Sequence, residues 1–125
     1  MIKFKYDQNK LMPAIIQDYK NNEVLMLAYV NRKAIQKMLK LGKTCFYSRS
    51  RNTYWIKGES SGHIQKIKSI TTDCDKDTLL IKVQQVGGAC HLGYRTCFVH
   101  TIDKKGNLKG ISQKPVFDPN KTYAR

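Results

Sequence analysis

One stretch, residues 23–42, does more than any other to limit the folds that this chain can adopt. It opens with the apolar run EVLMLAYV, which is typical of a strand buried in a hydrophobic core. Asn31 follows and suits the N-cap of a helix with the sequence RKAIQKMLKL, and Gly42 stands just past the end of that helix. The apolar positions at helical spacing are Ile35, Met38 and Leu39. The stretch therefore predicts a buried strand followed directly by one helix.

The rest of the chain is rich in short strand-like segments. Separated by Gly, Asn and Ser, they are KTCFYS, TYWIKG, HIQKIKSITT, TLLIKVQQV and TCFVHTI. We expect a mainly β (α+β) fold of antiparallel sheets with one principal helix. A chain of 125 residues, 41% of them hydrophobic, is the size of a single domain, 1–125, with its own core. From about residue 112 the pattern predicts an irregular C-terminal tail.

The chain carries 23 Lys and Arg against 9 Asp and Glu, a formal net charge of +14. Such a charge favours an anionic partner, either nucleic acid or a small substrate with several phosphates. No apolar run approaches the roughly 20 residues that a membrane span needs, and the amino terminus lacks the apolar core of a secretory signal. We therefore expect a soluble cytoplasmic protein with no membrane partner, whose four cysteines are free thiols or metal ligands rather than disulfides.

The segment TTDCDKDTLL places a cysteine among three of the nine carboxylates, which belong to Asp73, Asp75 and Asp77. On an extended backbone these carboxylates would share one face, and Cys74 would point to the other. Three carboxylates so close together repel each other unless a cation neutralises them, and Mg²⁺ prefers such oxygen ligands. An EF-hand loop is excluded because Thr78 stands where that loop needs Gly. The remaining alternative is an exposed acidic turn that balances nearby lysines.

Three cysteines, Cys74, Cys90 and Cys97, are not spaced like the paired C-x-x-C knuckles of a zinc ribbon. If residues 77–86 form one extended strand, Cys74 and Cys90 lie at opposite ends of an element on the order of 30 Å long. Zinc ligands lie within roughly 2.3 Å of the ion. A shared zinc therefore requires either a sharp bend of the chain or a homodimer in which Cys74 of one subunit meets Cys90 and Cys97 of the other. The alternative is that Cys74 is a core thiol and any metal is structural.

Between the helix and the acidic segment lies a polar stretch, FYSRSRNTYWIKGESSGHIQ, that suits phosphates and a planar ring. Arg49 and Arg51 offer forked donors to phosphate oxygens, and the glycines let backbone amides approach an anion. Trp55 is placed either to stack on a base or to pack in the core. His63 is suited either to general acid or base chemistry or to a structural hydrogen bond.

Together these residues resemble the phosphoribosyl-AMP cyclohydrolase family, zinc enzymes of histidine biosynthesis, and the likeness runs from Pro13 onward. The motifs that carry it are PAIIQD, EVLMLAYVNRKAI, YSRSR, WIKGESSGH, DCDKDTLL, QVGGACHLGYRTCF and PVFDP. Val30, Thr96 and the extra thiol Cys45 depart from the commoner pattern, and none of them is a proposed ligand. In some relatives a pyrophosphohydrolase domain follows this one. Because the sequence stops at Arg125, we expect this chain to be the monofunctional form.

The resemblance implies an intertwined homodimer with active sites at its interface. It implies one Zn²⁺ per subunit, held by Cys74 of one subunit and by Cys90 and Cys97 of the other. It also implies Mg²⁺ at the three aspartates of the acidic segment.

The implied reaction is hydrolysis of the N1–C6 bond of the adenine ring in 1-(5-phosphoribosyl)-AMP, the third step of histidine biosynthesis. A zinc-activated water would supply the nucleophile at neutral pH, and His91 or His63 would transfer the proton. The predicted substrate-binding residues are Arg49, Ser50, Arg51, Trp55, Lys57, Glu59, Ser61 and Arg95.

Two other classes of protein fit part of this pattern. A zinc deaminase attacks the same adenine carbon, but its H-x-E…P-C-x-x-C signature is missing, since Ile64 and Gln65 follow His63. A basic nucleic-acid-binding protein with a structural metal would account for the charge. It would leave the acidic segment unexplained, because carboxylates repel a phosphate backbone. We therefore expect a small-molecule substrate and no nucleic-acid partner.

Overall fold

The computed structural model describes residues 1–122, and strands dominate it. In chain order the elements are β1 (Met12–Asp18), β2 (Val24–Val30), α1 (Arg32–Leu41), β3 (Cys45–Ser48), β4 (Thr53–Ile56), β5 (Gln65–Thr72), β6 (Leu79–Gln85), β7 (His100–Ile102), β8 (Leu108–Ile111) and α2 (Pro119–Thr122). The predicted mainly β fold with one principal helix is confirmed, because α1 has ten residues and α2 is a single turn. Within the residues described, no helix is long and apolar enough to cross a membrane.

A four-stranded sheet in the order β2-β1-β6-β5 forms the frame of the molecule. The β1–β2 and β5–β6 pairs have the antiparallel arrangement expected for the sheets in general, whereas β1 and β6 run parallel. The sequence pattern does not predict β1, because Pro13 stands near its start and the lysines on both sides make the segment resemble a solvated surface. In the fold, however, its alternate residues Met12, Ala14 and Ile16 are buried in the hydrophobic core. An unpredicted central strand therefore turns the expected antiparallel sheet into a mixed one.

Helix α1 packs against β2 and β3 and has the caps that its sequence predicts. The side chain of Asn31 accepts a hydrogen bond from the backbone N–H of Ala34 at 2.9 Å, and Gly42 adopts the left-handed conformation with a φ of 71°. The buried residues of the helix are Ala34, Ile35 and Met38. Leu39 is 61% exposed, so Ala34 completes the apolar stripe in its place.

A β-bulge in the β1–β2 pair decides which side chains β2 presents to solvent. The register moves from Ile16 opposite Met26 to Gln17 opposite Val24, which leaves Leu25 without a partner residue in β1. Leu25 and Met26 are therefore buried in succession, as a bulge allows. The following residues alternate again, and Leu27 is left 45% exposed at the edge of an open pocket.

Two two-stranded hairpins complete the fold. The β3–β4 hairpin packs on the core through Phe46, which is fully buried. In the β7–β8 hairpin every residue is exposed. β7 covers the last three residues of the predicted TCFVHTI strand, and the residues before it form a loop that returns to β2. The described part of the tail beyond residue 112 is irregular as far as the single turn α2.

Candidate active site

The segment after β6 folds back on itself and brings two of the predicted zinc ligands together. The backbone N–H of Ala89 donates to the carbonyl of Arg95 at 2.9 Å, and that of Cys90 donates to Tyr94 at 3.0 Å. The N–H of Cys97 then donates to the carbonyl of Leu25 at 2.7 Å, which anchors the returning chain on β2. The thiols of Cys90 and Cys97 consequently lie within interaction range of each other.

Thr96, one of the departures from the family pattern, fastens this segment to β2. Its hydroxyl donates to the carbonyl of Val24 at 2.7 Å and accepts from the N–H of Phe98 at 3.1 Å. The residue is 3% exposed. Its hydroxyl therefore fixes the backbone immediately beside Cys97.

The environment of the two thiols disfavours the ionisation of both. Although much of Cys97 is exposed, desolvation of its thiol together with the charge of Cys90 raises the pKa of Cys97 to about 11. Burial lowers the pKa of Lys57, and the neighbouring Cys97 and Cys90 partly oppose this. Two adjacent thiolates repel each other, so both can ionise only when a cation compensates their charge. This donor set suits Zn²⁺, which binds thiolates.

Cys74, the third predicted zinc ligand, lies at the opposite end of β6, in the exposed turn between β5 and β6. β6 has seven residues, which corresponds to roughly 20 Å of extended chain. Among the residues described, Cys74 does not join Cys90 and Cys97 in a cluster of potential metal ligands. The chain does not bend back within one subunit, and Cys74 as a ligand across a dimer stays a prediction.

The three aspartates of the acidic segment converge, but not in the way that the sequence pattern suggests. Their carboxylate oxygens lie within 4.8 Å of one another. The expected alternation on an extended strand is wrong, because residues 73–78 form the turn of the β5–β6 hairpin, with Lys76 at a φ of 60°. Asp73 Oδ1 accepts from the N–H groups of Asp77 at 3.0 Å and Thr78 at 3.3 Å, so this carboxylate closes the turn.

Crowding of these carboxylates separates their pKa values. A hydrogen bond with Asp77 is the largest influence that lowers the pKa of Asp73, and the same bond raises the pKa of Asp77. Charge repulsion from Asp73 and Asp75 raises the pKa of Asp77 further. A cluster in which one carboxyl holds its proton more tightly gains from a cation, and oxygen donors of this kind suit Mg²⁺.

An open cavity of about 600 Å³ lies between β2 and the β3–β4 hairpin. It is lined by Met26, Leu27, Ala28, Tyr29, Tyr47, Ser48, Arg49, Ser50 and Trp55. The guanidinium carbon of Arg49 lies 4.2 Å from the ring centroid of Tyr29, and Trp55 is 37% exposed at the rim. Three predicted substrate-binding residues, Arg49, Ser50 and Trp55, therefore meet in one pocket. Trp55 is placed to contact a ligand as well as Phe46, whose ring centroid lies 5.3 Å from its own.

The other predicted polar residues lie in three different loops: Arg51 in the β3–β4 turn, Glu59, Ser61 and His63 between β4 and β5, and His91 after β6. Glu59 and Arg51 are exposed, and Ser61 is half-buried with its hydroxyl accepting from the N–H of His63 at 3.1 Å. The imidazole of His63 contacts Phe117, with ring centroids 4.3 Å apart. His91 is exposed beside Cys90.

Arg95 is held by carboxylates of this chain. Its Nε donates to Glu23 Oε1 at 2.9 Å, and its terminal nitrogen pairs with Asp18. The substrate contact predicted for Arg95 stays a prediction, while the structure gives the side chain an anchoring role for the segment between the two thiols. Sequence reasoning missed Tyr29 and Phe117 as parts of the site, although both fall in motifs, EVLMLAYV and PVFDP, that it singled out.

A mainly β chain that carries an open pocket, paired thiols and a carboxylate cluster has the groups that a small-molecule enzyme uses. Residues 26–99 match the family model of phosphoribosyl-AMP cyclohydrolase. The chain belongs to this family, and the resemblance predicted from the motifs is confirmed.

Several curated relatives support the assignment. A phosphoribosyl-AMP cyclohydrolase of Pelotomaculum thermopropionicum is 47% identical over 121 residues, which cover 97% of this chain and 93% of the relative. A protein of the same name from Methanothrix thermoacetophila is 52% identical, with 94% and 93% covered. The histidine biosynthesis bifunctional protein HisIE of Thermoanaerobacter pseudethanolicus is 56% identical over 95% of this chain and 54% of its own length.

Proposed function

We propose that this protein is a zinc-dependent phosphoribosyl-AMP cyclohydrolase that opens the adenine ring of 1-(5-phosphoribosyl)-AMP between N1 and C6 in histidine biosynthesis. The observation that carries the proposal is the family match over residues 26–99, because this range contains the thiol pair, the acidic turn and the pocket. The product is the phosphoribosylformimino-aminoimidazole carboxamide ribotide. Water contributes its oxygen to C6, and N1 leaves the ring carbon as it gains a proton.

Zinc would be held by Cys90 and Cys97 of one subunit and by Cys74 of the other. When bound there, zinc would lower the pKa of a water molecule to about 7 and so make a nucleophile available at neutral pH. The neighbouring Lys57 adds positive charge beside the thiols, which suits the phosphates and the developing negative charge of a substrate.

The pocket between β2 and the β3–β4 hairpin would hold the substrate. Arg49, preorganised by its stack on Tyr29, provides forked donors for a phosphate, and Ser50 adds a hydroxyl. The half-exposed indole of Trp55 offers a face for the purine ring. Either His91, which follows Cys90 directly, or His63 would supply the proton to N1. Mg²⁺ at the acidic turn would neutralise substrate phosphates.

A homodimer would complete the site, and the exposed β7–β8 hairpin supports this part of the proposal. An isolated two-stranded hairpin is marginally stable in water. Its apolar side chains are nevertheless open to solvent, with Ile102 68%, Leu108 70% and Ile111 53% exposed. A second copy of the chain that covered this hairpin would bury these residues and could bring Cys74 to the thiol pair.

The proposal is tested by an ultraviolet assay on phosphoribosyl-AMP. We expect ring opening by the metal-replete protein, and loss of that activity after a zinc chelator, with recovery when zinc is added back. No ring opening by the metal-replete protein would overturn the activity, and full activity of a demonstrably zinc-free sample would overturn the zinc requirement. Ammonia release would instead indicate a deaminase, and tight salt-sensitive oligonucleotide binding without hydrolysis would favour the nucleic-acid-binding alternative.

A further inference from the structure

The segment of residues 115–119 packs on the loop that carries Cys90. The backbone N–H groups of Val116 and Phe117 both donate to the carbonyl of Gly93, at 2.7 Å and 3.3 Å. The N–H of Gly93 in turn donates to the carbonyl of Cys90 at 3.0 Å, so one tight turn begins at Cys90 and ends at Gly93. The segment is therefore bonded to the same turn that presents the buried thiol.

Glycines in this loop make room for Phe117. A Cβ atom on Gly88 would lie 2.8 Å from Phe117 Cε1, and one on Gly93 would lie 2.5 Å from the Phe117 carbonyl oxygen. Gly93 also has a φ of 102°, which side chains disfavour. The QVGGACHLG and PVFDP motifs thus meet in space, and the close contact explains why two of these positions lack a side chain.

The ring of Phe117 also packs against His63. The two ring centroids are 4.3 Å apart with an interplanar angle of 68°, an edge contact. On another side, the imidazole is so close to Gly87 that a Cβ there would lie 2.5 Å from His63 Cδ2. His63 Nδ1 is buried, and among residues 1–122 it has no hydrogen-bond partner. The orientation of the imidazole is consequently set by packing against Phe117 and Gly87 rather than by a hydrogen bond at Nδ1.

The backbone of His63, in contrast, is fixed independently of Phe117. Its N–H donates to Ser61 Oγ at 3.1 Å, and its carbonyl accepts from Gln85 Nε2 at 3.4 Å. A Cβ on Gly58 would lie 2.3 Å from the carbonyl carbon of His63, so the turn is tightly closed from that side as well. Truncation of Phe117 would therefore release the imidazole while the backbone that presents it stays in place.

We infer that Phe117 is a positioning residue of the hydrolase, which holds the His63 imidazole at a fixed orientation beside the Cys90–Gly93 turn. This inference rests on the proton-transfer role proposed for His63. A catalytic group whose position varies by about 1 Å can lose on the order of 100-fold in rate, although it is still present. Phe117 then acts on turnover rather than on substrate affinity.

The test is a double-mutant cycle between Phe117→Ala and His63→Ala, measured by steady-state ring opening. In the wild-type background we expect Phe117→Ala to lower kcat at least about tenfold with KM within about twofold, and Phe117→Leu to recover part of the loss. In the His63→Ala background we expect Phe117→Ala to change the residual kcat less than about twofold. A merely structural Phe117 would instead lower activity by the same factor in both backgrounds, which would overturn the inference.

A matched control and two further measurements separate positioning from folding. Val116→Ala truncates the neighbouring exposed side chain, and we expect it to leave kcat unchanged. The zinc content of Phe117→Ala stays at the wild-type level, while the ¹⁵N signals of the His63 ring shift and broaden in histidine-labelled protein. An unchanged His63 spectrum would overturn the inference; if Phe117→Ala fails to fold, the same spectrum and cycle are measured on Phe117→Leu. Wild-type activity of His63→Ala would remove the role of His63 and this inference with it, but not the ring-opening activity.

Discussion

Asp18→Asn tests how the chain secures the segment between its two adjacent thiols. Asp18 ends β1 and is 5% exposed. Its Oδ1 accepts from the N–H groups of Lys20 at 2.8 Å and Asn21 at 3.2 Å, and its Oδ2 pairs with Arg95. Asparagine keeps an oxygen for the turn but removes the negative charge that faces the guanidinium, so the substitution isolates the ion pair.

The loss of stability expected for Asp18→Asn follows from the burial of Asp18 and Arg95. An exposed ion pair contributes about 0–1 kcal/mol, whereas loss of one partner of a buried pair costs roughly 3–5 kcal/mol. The Asp18 side chain is 7% exposed and that of Arg95 30%, and Arg95 keeps Glu23 at 2.9 Å. We therefore expect a loss of about 2 kcal/mol in the free energy of unfolding, the scale of one hydrogen bond to a charged group. For a domain of this size that corresponds to about 8 °C in melting temperature.

The pH dependence has a definite sign. Burial alone would raise the pKa of Asp18, but hydrogen bonds from Lys20 and Asn21 and the charge of Arg95 outweigh it and leave the pKa lowered. The stability from this carboxylate is complete above its unfolded pKa of about 3.9 and disappears as the pH falls through the lower folded value. The difference between wild type and Asp18→Asn is thus constant from neutral pH to about 5 and shrinks below about 4.

Urea unfolding at a series of pH values measures both effects, with Asp103→Asn as the matched control. Asp103 Oδ1 accepts from Lys105 at 2.9 Å and Asn107 at 3.0 Å in a similar turn, but the residue is exposed. We expect this control to change stability by less than about 0.5 kcal/mol. A loss in Asp18→Asn no larger than in the control, or a loss that persists unchanged at pH 3, would refute the reasoning.

Three further changes test the site itself. Cys97→Ala should remove bound zinc and turnover together, whereas Cys45→Ala, at a fully buried thiol, should keep both; elemental analysis and the ring-opening assay check this, and zinc retained by Cys97→Ala would contradict it. Asp75→Asn relieves repulsion in the acidic turn, so its melting temperature without Mg²⁺ should equal or exceed that of wild type, while the rise that Mg²⁺ gives wild type disappears. Arg49→Lys loses the forked donor and the stack on Tyr29 and should raise KM about tenfold with little change in kcat, whereas lowered kcat at constant KM would place Arg49 in the chemical step.

The acidic cluster shows which features of a site can be predicted from the amino-acid sequence. Three aspartates within five residues stay close together in almost any compact conformation, so their convergence did not depend on the predicted extended backbone. The directions in which their side chains point did depend on that backbone. The prediction of those directions was wrong, because Lys76 adopts a positive φ and Asp73 closes a turn. A positive φ at a lysine leaves little trace in sequence, since the residue types that favour it are Gly, Asn and Asp.

Contacts between distant segments were beyond prediction for a different reason. The helix of residues 32–41 depends on local signals, the Asn31 cap and Gly42, and these were correct. The parallel β1–β6 pair and the contact of Phe117 with His63 depend on which surfaces meet, and no periodicity within one segment encodes that choice. The separation of Cys74 from Cys90 was the one long-range feature that could be predicted. A strand such as β6 keeps its two ends apart whatever it packs against.

The distribution of charge links the fold to the kind of ligand that the site can take. Of the nine carboxylates, Asp18 and Glu23 hold Arg95, and three more form the acidic turn at one end of the β5–β6 hairpin. Although the formal net charge is +14, the protein therefore carries one concentrated negative site. A long phosphate backbone laid across this surface would meet that site and be repelled. Under the proposed function, a small anion with separate phosphates would place one on the arginine pocket and another on a cation held by the carboxylates, so the acidic turn that opposes nucleic acid would favour a compact bisphosphorylated substrate.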